Sequence, residues 1–435
     1  MRTHYFSILP KRARLSGSWL CGLGAALAFA LLLTACHPAT APTPLPQRGY
    51  LWQRDWTPVV SAAYSEAQGR MDGLVLLGAE MNWSGGAPQV TRANIPWTAL
   101  KNSQKPISLA LRVAPFPGPF AADDATARAI AETAHALVRE AATHDVKLAE
   151  FQLDFDCAQK KLAGYRAWID GVRRAVKPLP LVLTTLPSWL DEPDFVPLVR
   201  AADGYVLQVH SVPTTGETGR ASLCDPALAR KWVQKASRLG LPFSVALPTY
   251  RCLAGYAPDG KLLSVVMDSV KLPWPPGTRV LEFATNADDV AGLVRDWQAN
   301  PPPGLRGLLW YRVPVATDQF NWRWPTLAAV MAGRNPTHQL DVIPQGDNPV
   351  DLTLVNNGEA DEPLDCTVTV AWNDTTLAAF DSLKGWSIRA EKDLVTFTPD
   401  PGSGAPLPPG ARRSIGWLRY DKVTPLRLKI TPGHD

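Results

Sequence analysis

The sequence predicts an α/β chain: a (β/α)8 TIM barrel over residues 49–335, followed by a small β-sandwich over residues 336–435. Two observations carry this. Up to about residue 335, short apolar runs alternate with amphipathic stretches of helical period, and there are enough runs for eight strand–helix units. After Pro336 the pattern changes to short alternating or β-branched segments separated by turn residues.

The candidate barrel strands are Tyr50–Asp55, Gly73–Ala79, Ile107–Val113, Glu150–Asp156, Leu181–Leu186, Tyr205–Val209, Phe243–Leu247 and Gly307–Tyr311. Between them, Ala125–Ala142 places Ile130, Ala134, Val138 and Ala141 at helical spacing, and Ala163–Val176 and Pro226–Leu239 read similarly. An open doubly wound sheet is the alternative, but no Gly-rich phosphate loop accompanies it. In the C-terminal segment, Val350–Val355, Thr367–Trp372, Leu394–Thr398, Ser414–Tyr420 and Leu426–Ile430 read as strands. Turn signals such as Asn356-Asn-Gly358 separate them, giving an immunoglobulin-like sandwich in outline. Its expected role is to pack against or space the barrel, with carbohydrate binding as the alternative.

Ahead of the barrel, Arg2, Lys11, Arg12 and Arg14 precede an apolar run from Trp19 to Leu33 and then Leu33-Thr-Ala-Cys36. This resembles a bacterial lipoprotein signal with its lipobox. The resemblance implies cleavage after residue 35 and lipidation of Cys36. The following residue is His37 and not Asp, so an outer-membrane location in the cell envelope is the expectation. Residues 36–48 form a lipid-bearing, Pro-rich tether. Loss of the four basic residues of segment 1–35 leaves 40 Lys and Arg against 40 Asp and Glu. A neutral mature chain with no basic patch argues against a nucleic-acid partner. Four cysteines lie beyond Cys36, and an oxidising envelope permits disulfides. Cys224 and Cys252, expected in loops after neighbouring strands, are the favoured pair; four free thiols are the alternative. No metal or other cofactor is expected, since the seven His are scattered and no Cys-x-x-Cys occurs.

The segment Glu150-Phe-Gln-Leu-Asp-Phe-Asp-Cys157 is the most informative for function. Alternation puts Phe151, Leu153 and Phe155 on one face and Gln152, Asp154 and Asp156 on the other. Two acids on the inner face of a barrel strand are costly unless they are paired. They point to a site at the strand's carboxyl end, where barrels collect their chemistry. Asp154 and Asp156, about 6.5–7 Å apart along the strand, can divide into a proton donor and an ionised partner, as glycosidases require. Glu80, at the end of strand two, is a further candidate acid. Arg112, Gln208, His210, Tyr250 and Tyr311 are candidate substrate contacts at other strand ends, with Arg112 alternatively a neutralising partner of Asp154. The 16 Trp suggest a glycan cleft as a group, and Trp189 and Trp310 are candidates to stack on sugar rings, although for any single Trp core packing is the favoured alternative. The phase of Trp310-Tyr311-Arg312 stays open.

Two resemblances follow from these residues. Leu51-Trp-Gln-Arg-Asp-Trp56, Gln152-Leu-Asp-Phe-Asp156, Thr185-Leu-Pro-Ser-Trp189 and Trp310-Tyr-Arg-Val-Pro314 resemble a family of uncharacterised bacterial lipoproteins. That family is defined by a domain of unknown function with a glycoside-hydrolase-like barrel. Asp154-Phe-Asp156 is also similar to the Asp-x-Asp-x-Glu strand of chitinase-like family 18 glycoside hydrolases. There the Glu protonates the glycosidic oxygen and the preceding Asp orients the substrate's acetamido group. Here Ala158 stands where the Glu would be. The resemblance implies either a polysaccharide hydrolase whose acid is Asp156 or Glu80, or a barrel that binds glycans without cutting them.

Overall fold

A computed structural model describes residues 44–84, 86–212, 222–267, 273–402 and 405–433. The lipobox, Cys36 and the tether up to residue 43 lie outside the described residues. Eight parallel strands close into a barrel: β1 (Gln47–Leu51), β2 (Gly73–Ser84), β4 (Ile107–Val113), β5 (Leu148–Phe155), β6 (Leu181–Thr185), β7 (Gly204–Gln208), β8 (Phe243–Pro248) and β12 (Leu305–Tyr311). The pairing of β1 with both β12 and β2 completes the closure. Eight strands were read from the sequence and eight are present, although the first spans Gln47–Leu51 and not Tyr50–Asp55, so the barrel begins ahead of residue 49. Strand β3 (Ala87–Arg92) folds back on the long β2 as a hairpin at the rim.

Helices lie between strands: α1 (Pro58–Arg70), the single-turn α2 (Trp97–Leu100), α3 (Ala125–Thr143), α4 (Leu162–Val176), α5 (Phe195–Ala201), α6 (Pro226–Ser237), α7 (Ala287–Ala299) and α8 (Trp324–Met331). Local signals set their starts. The Asp124, Asp225 and Asn286 side chains accept from backbone N–H groups in the first turns of α3, α6 and α7, which satisfies donors the helix itself cannot. Outward-facing strand residues such as Leu109, Phe151, Leu183 and Val245 pack with Ile130, Leu137, Trp168 and Val294 of the helices in the main apolar core. A second, smaller cluster fills the barrel itself: Tyr50, Val75, Ala110, Val182, Val206, Ala246 and Leu309. The small Ala110 and Ala246 leave room there for the Tyr50 and Tyr311 rings.

Between β8 and α7 the chain inserts an antiparallel sheet that the sequence reading missed: β9 (Arg251–Tyr256), β10 (Leu262–Val266) and β11 (Arg279–Ala284), in the order β10-β9-β11. The C-terminal region has eight strands: β13 (Leu340–Gln345), β14 (Val350–Asn356), β15 (Thr367–Ala371), β16 (Leu377–Ser382), β17 (Trp386–Ala390), β18 (Leu394–Pro399), β19 (Arg412–Tyr420) and β20 (Arg427–Thr431). They form two four-stranded antiparallel sheets, β13-β14-β19-β16 and β17-β18-β15-β20. Leu352, Val368, Trp372, Phe397 and Leu418 fill the core they share.

Two sequence expectations are corrected here. Cys224 and Cys252 are not bonded; both are free and buried, as are Cys157 and Cys366. Cys252 lies inside β9 and not in a loop, and the two thiols belong to different apolar clusters. Burial pushes both thiols up to about 12, so they pack as small apolar side chains. Trp189 and Trp310 are fully buried and do not face a cleft. The Trp189 indole N–H donates to the Cys157 carbonyl at 3.1 Å, and that of Trp310 to Gln47 Oε1 at 3.0 Å. Strand β12 points Trp310 outward to the helices and Tyr311 inward, which settles its phase.

The thiols give a direct check. In the chain from residue 37 onward, Cys157, Cys224, Cys252 and Cys366 should resist a thiol reagent while folded. In denaturant without reductant all four should react, whereas a Cys224–Cys252 bridge would leave two.

Candidate functional site

Strand β5 builds the site. Phe151, Leu153 and Phe155 lock its outer face into the main core, so Glu150, Gln152, Asp154 and Asp156 all project inward. At the bottom, Arg48 pairs with Glu150 at 2.7 Å. The Gln152 amide donates to Glu150 at 2.7 Å and accepts the Tyr50 hydroxyl at 2.8 Å. Every polar group of this lower layer is thereby used within the barrel.

One step higher, the ladder places Glu80, Arg112 and Asp154 in one row across β2, β4 and β5. A bulge between Leu77 and Ala79 turns Glu80 inward. Asp154 is 8% exposed; it accepts the Thr184 hydroxyl at 2.6 Å and lies 3.9 Å from the Arg112 guanidinium. Glu80 is held by Arg54 at 3.2 Å, on the segment after β1, and does not line the cavity described below. It is thus drawn away from the other two carboxyl groups.

Asp156 lies one residue beyond β5, exposed in the mouth. The walls around it still remove enough water to matter. Burial first, and then the Asp154 charge, push its carboxyl from the ordinary 3.8 up to about 6, against the opposing pull of Arg112. Ala158 follows on the exposed segment that leads into a short 3-10 turn, past the end of the strand. The position at the mouth that faces the cavity is held by Asp156.

These groups line a cavity of about 310 Å3, the size of a small-ligand site. Gln208 and His210, in phase on β7 and just beyond it, form one side with Tyr250 and Tyr311. Aromatic rings make up much of the wall. Tyr311 meets Tyr50 at 5.9 Å, Trp52 at 5.6 Å and Tyr250 at 5.7 Å edge-on, and stacks with His210 at 6.0 Å. Burial lowers His210 to about 4, so its imidazole is neutral at neutral pH. Its Nδ1 and the Trp52 indole N–H are buried without hydrogen-bond partners among the described residues.

The structure therefore brings Asp154, Asp156, Arg112, Gln208, His210, Tyr250 and Tyr311 together around one cavity. It leaves out Glu80, Trp189 and Trp310. The sequence reading did not assign Met267 and Ser211 to the cavity. Met267 arrives with the inserted sheet, whose short segments gave no clear strand signal. Thr184 falls inside the strand Leu181–Leu186 read from the sequence, but its bond to Asp154 was not legible there.

The eight parallel strands, with helices between them, form a closed TIM-like barrel, and Asp154 and Asp156 line the cavity at the carboxyl end of β5. Residues 104–316, which span β4 to β12, match the domain of unknown function DUF3142, and residues 341–421 match the domain of unknown function DUF8456. No curated protein matches the sequence. Among solved structures, the chain is similar to the Bacillus cereus spore cortex-lytic enzyme SleL, at 12% identity and a TM-score of 0.47, over 68% of this chain and 76% of that one. It is similar to chitinase ChiA74 of Bacillus thuringiensis at 10% identity and a TM-score of 0.42, over 89% and 100% of the two chains. The family 18 chitinase ChiB of Flavobacterium johnsoniae matches at 10% identity and 0.41, over 66% and 93%.

The electrostatics predict a specific titration. Asp156 should titrate near pH 6 in a carboxyl-carbon NMR experiment. Asp154→Asn should shift that titration down and Arg112→Gln should shift it up. A folded-state value raised above the unfolded one means the folded chain holds an extra proton between about pH 4 and 6. That contribution to stability is present at low pH and lost as pH rises through 6. Asp156→Asn should therefore raise Tm relative to wild type at pH 7, with the difference vanishing below about pH 4.

Proposed function

We propose that this chain is a lipid-anchored cell-envelope protein that hydrolyses a polysaccharide at the carboxyl end of its barrel. The observation that carries the reading is Asp156: a carboxyl open to the mouth, raised to about 6, beside a second carboxyl one step deeper. A general acid works best when its pKa lies near the operating pH. Protonated Asp156 donates its proton to the glycosidic oxygen as the bond to the anomeric carbon breaks. The negative charge of Asp154 favours the positive charge that develops on the sugar. Water then adds its hydroxyl to the anomeric carbon, and its proton returns to Asp156. Arg112 and the Thr184 hydroxyl position Asp154, while Gln208, His210, Tyr250 and Tyr311 orient the sugar.

The Leu33-Thr-Ala-Cys36 lipobox and the Pro-rich tether support lipidation at Cys36 and attachment to the outer membrane. Among the described residues, no helix is long and apolar enough to cross a membrane.

A second reading, a glycan-holding barrel without turnover, is favoured by the Arg54–Glu80 pair. That pair leaves the cavity without a carboxylate from β2, two strands round the barrel from β5. One assay separates the two. The chain from residue 37 onward is incubated with envelope and extracellular polysaccharides and scored for new reducing ends and for binding. Wild type should cleave at least one, with a rate that falls as pH rises through 6. Asp156→Asn should keep its fold and its binding and lose about 10²–10⁴-fold in turnover. Binding by both without cleavage would replace hydrolysis with glycan holding.

A further inference from the structure

Arg112 brings a full positive charge into the barrel cavity and leaves its donors unused. It projects inward from β4 beside Asp154 in the ladder, lines the cavity, and its side chain is 33% exposed there. Among the described residues its one ion pair, from a guanidinium nitrogen to Asp154 Oδ2, spans 3.9 Å. That is beyond the roughly 2.7–3.2 Å of a hydrogen bond. The other oxygen of Asp154 already accepts the Thr184 hydroxyl at 2.6 Å. Arg112 thus balances the charge of Asp154 without donating to it, and among the described residues nothing else accepts from its guanidinium.

An arginine kept only to neutralise a carboxylate would close on it as a planar fork. This fork is drawn partly out of water and unbonded, which is costly. Its acceptors must come from what the cavity holds. The fork matches paired oxygens, as in a carboxylate or a sulfate ester, better than a single hydroxyl.

The neighbouring carboxyl groups set the condition for such a ligand. An anion on Arg112 is repelled by an ionised Asp156 and tolerated by a protonated one. Burial and the Asp154 charge push Asp156 up to about 6, so mildly acid conditions favour the anion. The other groups around the cavity do not follow this titration. Glu80 stays paired with Arg54, His210 is neutral from about pH 4 upward, and burial pushes the Tyr50, Tyr250 and Tyr311 hydroxyls up.

We propose that the sugar unit taken by the barrel mouth carries an anionic group, a carboxylate or a sulfate ester, which docks on the Arg112 guanidinium. This names the substrate class of the site and rests on the reading above that the site handles a glycan. The bound anion in turn holds the proton on Asp156, where a general acid needs it.

The test is ligand-observed NMR titration of the full chain in detergent at pH 5 and pH 8. The probes are glucuronate, galacturonate and mannuronate, their neutral counterparts glucose, galactose and mannose, and glucose 6-sulfate and glucosamine. None has a glycosidic bond, so turnover does not intervene. At pH 5 at least one anionic probe should bind about tenfold or more tighter than its neutral counterpart. The same probe should bind about tenfold more weakly at pH 8. A tighter glucose 6-sulfate would assign the ester, a tighter uronate the carboxylate. Saturation with the anion should move the Asp156 titration up by about one unit, the reciprocal of that tenfold. Asp156→Asn should keep the preference and lose its pH dependence. Arg112→Gln should abolish the preference, and Arg112→Lys, which keeps the charge without the fork, should keep part of it. If Arg112→Gln does not fold, Arg112→Lys and the wild-type pH dependence still decide. Equal affinity for charged and neutral probes, tighter binding of glucosamine, a preference that survives Arg112→Gln, or no binding of any probe would overturn the inference. An Arg112-dependent preference in a chain that releases no reducing ends from any polysaccharide would keep the inference and remove hydrolysis. Cleavage of a neutral polysaccharide by a chain blind to the anionic probes would do the reverse.

Discussion

The interior of this barrel is organised by the polar inner face of β5, and the other strands are arranged to satisfy it. Glu150, Gln152, Asp154 and Asp156 stand on successive inward positions of one strand. Left alone in an apolar barrel, such a column would not be tolerated. Each level below the top is answered from another strand. Arg48 and Tyr50 of β1 meet Glu150 and Gln152, while Thr184 of β6 and Arg112 of β4 meet Asp154. Among the described residues, the top level, Asp156, has no such partner, and it opens to solvent. The gradient from a fully paired base to an open mouth is what turns a structural column into a candidate site.

Satisfying that column constrains the residues opposite. Two full aromatic rings, Tyr50 and Tyr311, share the interior with it, and this fits because β4 and β8 contribute Ala110 and Ala246 there. The outer faces carry the opposite requirement. Phe151, Phe155, Trp168 and Trp310 form part of the apolar layer under the helices and fix the twist and phase of each strand. A shift of one residue in β5 would bury Phe155 in the barrel and send both carboxyl groups into the helix layer. Packing on the outside therefore sets which side chains reach the site on the inside.

This division explains what could be read from the sequence. The eight strands were legible because each is an apolar run or a clear alternation, and the chain has few such runs to confuse with them. The inner face of β5 was legible for the same reason, since aromatic and acidic residues alternate without a break. Trp310-Tyr311 was not, because two adjacent aromatics carry no alternation signal, and only packing decided that Trp310 faces out. The inserted sheet was missed because Arg251–Tyr256 and its neighbours are short and weakly patterned. Cys252 was assigned to a loop as a result, and a disulfide was expected that the clusters do not allow. Glu80 looked like a free acid at a strand end. Its partner Arg54 comes from an irregular segment whose path the sequence does not specify.

The fate of Glu80 bears on how any chemistry here would work. A barrel hydrolase commonly sets two carboxyl groups on opposite sides of the bond to be cut. In this chain the acid from β2 is tied to Arg54, and both remaining carboxyl groups come from one strand. They approach a substrate from the same side, at successive depths. That geometry does not supply a protein nucleophile across the sugar from the acid. It supplies an acid whose proton is retained by the charge beneath it, and a negative field under the site of bond cleavage. Under the proposed hydrolysis the nucleophile would be water, or a group of the substrate itself, held by the aromatic wall and the neutral His210. The cavity wall made by Gln208, His210, Tyr250 and Tyr311 would then carry as much of the specificity as the carboxyl pair would carry of the chemistry.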